Sequence, residues 1–97
     1  MVGNQNGEVV TDRLRGRLFV KESDRGLGQF EYIAHGDTAT LWTIPGTSDH
    51  VGFLKLQNEN KAFVLQLADS DERVDIVVRE VKPSGDRFEV EVRVVGT

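Results

Sequence analysis

The chain has no cysteine, which excludes a disulfide framework and thiolate chemistry. It has only two prolines, so no stretch reads as a rigid polyproline linker. No apolar run approaches the ~20 residues that a membrane helix needs, and no membrane association is expected. Blocks of like charge, internal repeats and low-complexity segments are also missing. Twelve basic residues stand against sixteen acidic ones, for a net charge of -4. A general polyanion binder needs a basic surface, so nucleic acid is not the expected partner, although a local basic patch stays open. The opening "MVGNQNGEVVTD" lacks the basic region and apolar run of a signal peptide. The expectation is a soluble, cytoplasmic protein. Ninety-seven residues suit one domain with one core. Residues 1–12 read as an N-terminal arm or short extra strand, and 13–97 as a single β domain.

What the chain does have is alternation. "RLRGRLFVK" sets Leu14, Leu18 and Val20 on one face and Arg13, Arg15, Arg17 and Lys21 on the other. "RFEVEVRVV" sets Phe88, Val90, Val92 and Val94 against Arg87, Glu89, Glu91 and Arg93. Period two with one wet face means half-buried strands. Weaker versions in "QFEYIAH", "TATLWTI", "VGFLKLQ", "KAFVLQLA" and "RVDIVVREV" bring the number to about seven. The fold class is all-β: a small antiparallel barrel or sandwich, mostly sequential hairpins in a meander. One short helix near 59–70 is the alternative for "NENKAFVLQLADSDER".

Turn chemistry sets registers. "HGDT" makes a two-residue hairpin loop, placing Phe30 opposite Thr43, Tyr32 opposite Leu41 and Glu31 opposite Trp42. "KPSGD" suits a three-residue loop that pairs Val78 with Val90 and Ile76 with Val92. "IPGT" reads as a type II turn with Pro45 and Gly46 at its centre. Pairing the first strand with the last closes the structure. Arg15 and Arg17 then lie near Glu89 and Glu91, which gives the arginine stripe a structural use.

In a meander, successive loops alternate between two ends. Tight turns at 36–37, 58–61 and 83–85 share one end. The longer loops 21–28, 45–50 and 69–73 share the other, where a ligand site is expected. That end gathers Asp24, Arg25, Asp49, His50, Asp69, Asp71 and Arg73. "DSDERVD" lacks the glycine and distal glutamate of a calcium loop, so no metal or cofactor is expected. His50 with Asp49 or Asp24 suggests a base and its orienter, the basis of a small barrel enzyme as an alternative. Adjacent residues on a strand end point opposite ways, and no glycine-flanked serine accompanies them, so no catalytic residue is assigned.

The register of the "HGDT" hairpin places Trp42 on the outer face with Ile33 and Ile44, across from Glu31. Apolar groups on a wet face are covered by the protein's own chain, by a partner, or by a ligand such as a stacked pyranose. The functional expectation is therefore a small non-catalytic binding or protein-interaction module. It self-associates as a homodimer through the Trp42 face, with a small ligand or glycan as a further partner.

"GRLFVKESDRGLGQFEYI" loosely resembles the opening of a cold-shock domain. Gly16, Arg25, Gly26 and Gly28 match in kind. Leu27 and Gln29 stand where that family carries base-stacking aromatics, and the match covers under a fifth of the chain. The resemblance implies an OB-type barrel that binds single-stranded nucleic acid, the second alternative. It is not counted as membership.

Overall fold

The computed structural model describes residues 13–68 and 70–95; the arm 1–12 lies outside them. The elements are β1 (Leu14–Val20), β2 (Gly26–His35), β3 (Thr38–Thr43), α1 (His50–Asn58), β4 (Phe63–Gln66), β5 (Arg73–Ser84) and β6 (Arg87–Val94). The strands form a closed antiparallel barrel in the order β1-β2-β3-β6-β5-β4. The fold is thus the expected all-β barrel of mostly sequential hairpins, with six strands rather than about seven. It consists of two three-stranded meanders, β1–β3 and β4–β6, joined by α1.

The difference in strand number lies in "VGFLKLQ", which is the helix α1 and not a strand. The stretch near 59–70, weighed as a helix, instead holds β4. Over nine residues, Phe53, Leu54 and Leu56 fit either period. The ends decide. Asp49 caps the first turn, its Oδ1 accepting from the Gly52 N–H at 2.9 Å. At the other end Asn60 takes a left-handed φ of 60°. The Asn60 N–H donates to the Gln57 carbonyl at 3.0 Å and the Lys61 N–H to that of Leu56 at 3.1 Å, a Schellman closure. The helix carries Phe53 into the barrel, with ring centroids 5.8 Å from Phe30 and 5.1 Å from Phe63. At nine residues it is too short and too polar to cross a membrane.

A second departure concerns closure. β1 pairs with β4, Leu18 facing Leu65, and not with the last strand. β6 lies between β3 and β5. Chain direction then puts the loops 21–25 and 44–49, α1 and the 85–86 turn at one end. The 36–37 turn and the 67–72 loop are at the other. The grouping expected from a seven-strand meander fails because removing one strand reverses the direction of every strand after it.

The β2–β3 register is the expected one in every pair named above. The Pro45–Gly46 turn also forms, with Gly46 at φ 86° and the Thr47 N–H donating to the Ile44 carbonyl at 3.0 Å. The β5–β6 register differs. A two-residue turn pairs Ser84 with Arg87 and Val81 with Val90, and beyond a bulge between Val78 and Glu80, Val78 faces Val92 and Ile76 faces Val94, where Val90 and Val92 were expected. The bulge keeps Ile76, Val78 and Val81 all turned to the core side.

A bulge in β2 shapes the core. Arg17 faces Gln29 while Phe19 faces Gly26, so Leu18 opposes two residues, Leu27 and Gly28. Leu27 and Phe30 therefore both point inward and are fully buried, which strict alternation does not allow. Phe53, Ala39, Ile44 and Val64 also join the buried set. Leu14, expected inside, is 49% exposed because it sits at the rim beyond the reach of β4.

Gly28 has φ 91°, and a Cβ there would collide with the Thr47 carbonyl oxygen. Gly36 has φ 72° and open space around it. In urea denaturation, Gly36→Ala should cost about 1 kcal/mol, from conformation alone. Gly28→Ala should cost about 2–4 kcal/mol, since strain and a backbone clash add. Equal losses would mean that the Gly28–Thr47 contact is not formed.

Candidate functional site

The outer surface of the barrel separates its charges by strand. β1 presents Arg15, Arg17 and Phe19 outward, at alternate positions with none of them buried. β6 presents Glu89 and Glu91. In a ring of six, β1 and β6 are three strands apart in either direction, on opposite walls. The expected neutralisation of Arg15 and Arg17 by Glu89 and Glu91 therefore does not occur.

Glu31 lies across from Arg15 in the β1–β2 ladder but is committed elsewhere. Its Oε1 accepts from Arg87 at 2.6 Å and from Arg13 at 3.2 Å. The Arg13 guanidinium lies 3.7 Å from the Trp42 ring centre, and the Trp42 Nε1–H donates to Glu89 at 3.3 Å. Trp42 and Ile33 are half-buried, and Ile44 is only 8% exposed. Ile44 is thus not part of an outer apolar patch. The backbone turns after Thr43, and the Ser48 hydroxyl ties the Ile44 N–H down at 2.7 Å. Arg13 occupies the indole face on which a sugar was expected to stack.

Arg15 and Arg17 are in no ion pair among the described residues. Arg17 is flanked by Gln29 on β2 and Gln66 on β4, its partner in both ladders. Two hollows meet on this wall. One, of about 430 Å³, is lined by Arg15, Gly16, Arg17, Gln29 and Gln66. The other, of about 400 Å³, continues past Arg17 and Gln29 to Phe19, Gly26, Gly28 and Thr47. The hollow beside Phe19 is open because Gly26 has no side chain; a Cβ there would lie 3.7 Å from the ring. The Arg73 guanidinium covers part of Phe19, 4.4 Å from the ring centre.

The residues expected at the long-loop end are only partly brought together. Arg73 reaches along the wall to Asp24 at 2.8 Å, and Arg25 pairs with Asp49 at 3.4 Å. Asp71 lies in the loop at the other end, and Asp69 falls outside the described residues. His50 packs its ring 5.4 Å from Phe88. Asp49 is held by the helix cap and Arg25, and Asp24 by Arg73, so the expected histidine–carboxylate pair does not form. Among the described residues no group of three His, Asp or Glu side chains is placed to hold a metal. No protein-family model matches the chain, and no curated protein or solved structure does either.

The Arg87 hydrogen bond, aided by Arg13, holds the Glu31 carboxyl below its ordinary value of 4.5, against the opposing effect of burial. A lowered folded value stabilises above the unfolded value, and that contribution fades as pH falls through the folded one. At pH 7, Glu31→Gln should lower stability by about 1–2 kcal/mol. Guanidinium titrations at pH 7, 4 and 3 should show the gap to wild type closing on the acid side. A gap that is constant over this range would mean that the network contributes nothing through charge.

Proposed function

We propose that this chain is a non-catalytic binding module whose ligand face is the outer wall of β1 with its neighbours β2 and β4. The ligand is extended and anionic. The observation that carries the reading is that Arg15 and Arg17 stand exposed and without an acidic partner among the described residues, beside two adjoining hollows that share Arg17 and Gln29. Arg13, Arg25, Arg73 and Arg87 each hold a carboxylate by contrast; Arg79 and Arg93 are in no ion pair among the described residues either, but they line neither hollow. An unneutralised guanidinium pair on a rigid strand supplies forked donors in fixed positions, suited to phosphate or carboxylate oxygens. The Gln29 amide adds a donor and an acceptor on one side, and the Gln66 amide, its N–H held by the Ser70 carbonyl, adds an acceptor on the other.

Self-association through the Trp42 face is a second reading. It rests on the half-buried Ile33 and Trp42, with less apolar surface than a patch including Ile44 would offer. Sedimentation equilibrium decides it: a wild type that stays monomeric at high concentration removes it.

Titrating ¹⁵N-labelled protein with inorganic tripolyphosphate tests the main reading. Amide shifts should concentrate at Arg15, Arg17, Gln29 and Gln66 and vanish in Arg15→Gln/Arg17→Gln. Shifts spread evenly over all surface cations, or none, would refute it.

A further inference from the structure

We infer that the occupant of this wall is single-stranded nucleic acid, with two phosphates on Arg15 and Arg17 and one base against Phe19. The inference rests on the binding-wall reading above and adds the ligand's class.

Three features of the wall point to a polynucleotide over a generic anion. First, the cations are in a row. Side chains two apart on a strand lie about 6.5–7 Å from each other on one face. Arg15 and Arg17 thus form a short linear track, which suits repeated charges along a chain better than one compact anion. Second, the same row continues into an aromatic. Phe19 is the next outward residue of β1, and the hollow running from Arg17 to Phe19 is uninterrupted. Phe19 is half-buried, with Arg73 over part of the ring and the Gly26 side open to the hollow. A cationic track beside such a ring is an arrangement that holds single strands: the cations follow the backbone and the open part of the ring takes a base. An acidic peptide repeats its charge too, but gains little from a ring at the end of the row. Third, the groups between charge and ring are amides and glycine backbone, not acids. Gln29 lines both hollows, and Gly26 leaves the space beside the Phe19 ring open. The Gln66 amide N–H is held by the Ser70 carbonyl at 3.1 Å, which turns its donor away and steadies the rim.

The net charge of -4 does not oppose this locally. Of the four cations from Arg13 to Lys21, Arg13 pairs with Glu31 and Lys21 with Asp75, which leaves Arg15 and Arg17 as the uncompensated charge of this stretch among the described residues. The exposed acids of β6 face away, on the opposite wall. The acidic total makes the contact short and salt-sensitive.

The test is fluorescence anisotropy of a labelled twelve-nucleotide oligo(dT), with circular dichroism as a check of folding. Wild type should bind with Kd of roughly 10⁻⁴–10⁻⁶ M at physiological salt. Two neutralised phosphates on a single strand give a log–log salt slope of about -1.4, or about sevenfold weaker binding from 50 to 200 mM salt. Arg17→Gln should bring the slope to about -0.7. Phe19→Leu should weaken binding about tenfold and leave the slope unchanged, since it removes stacking and no charge. Gly26→Val, which fills the space beside the ring and touches no charge, should act like Phe19→Leu. It serves as the readout where an arginine or phenylalanine variant fails to fold. Binding that is insensitive to Arg17→Gln and Gly26→Val overturns the inference. A hexaglutamate peptide is the competing probe. If it binds through Arg15 and Arg17 while oligo(dT) does not, the occupant is an acidic peptide: the nucleic-acid inference falls and the binding wall stands. If oligo(dT), hexaglutamate and tripolyphosphate all fail, both fall.

Discussion

Everything on the outer surface follows from how the barrel closes. α1 ends one meander and starts the next, and Phe53 anchors it between Phe30 of β2 and Phe63 of β4. A buried aromatic of this kind stabilises by roughly 1.5–3 kcal/mol, and Phe53 makes both contacts with β4 lying beside β1. That placement makes β4 the neighbour of β1 and leaves the last strand to pair with β3. Closing the ring also leaves β1 with a partner on each side, so its outer face can be polar and open without exposing an unpaired edge.

The electrostatic layout is a consequence of this pairing. With β6 beside β3, Glu89 reaches the Trp42 indole and Glu31 gathers Arg13 and Arg87 into one network. That network uses the acid facing Arg15. Across β1, Gln29 and Gln66 offer amides where acids would have neutralised Arg17. The same stripe of arginines would be structural in one topology, and in the other Arg15 and Arg17 are in no ion pair among the described residues. Its role is decided by which strands lie alongside and not by the stripe itself.

Some local signals in the sequence were readable, others such as the "KPSGD" turn were misread, and the non-local pairing was not readable. "HGDT" specifies its own hairpin because a two-residue loop leaves no choice of register. Alternation in 13–21 and 87–95 correctly separates most inward from outward residues, since each strand has one dry face. Leu27 escaped because a bulge at Gly28 breaks alternation; the paired glycines of "GLG" inside a strand pattern are the signal that marks such a bulge. "VGFLKLQ" misleads because a nine-residue segment fits both periods, yet Asp49 before it and Asn60 after it are helix-capping residues. The pairing of β1 with β4 joins segments far apart in the chain and has no local signature. For that reason the arginines could be recognised as a stripe, while their lack of partners could not. Asp24, Asp49 and His50 of the loops, more conspicuous residues, turn out to be engaged in a cap, ion pairs and packing.

The central claim is therefore the position of β1 in the ring. Interstrand nuclear Overhauser effects between backbone protons test it directly. The account predicts contacts from Arg17 and Leu18 to Leu65 and Gln66 on one side and from Arg17 to Gln29 on the other. Contacts from β1 to Glu89 or Glu91 on β6 would contradict it, and would return the arginine stripe to a structural role.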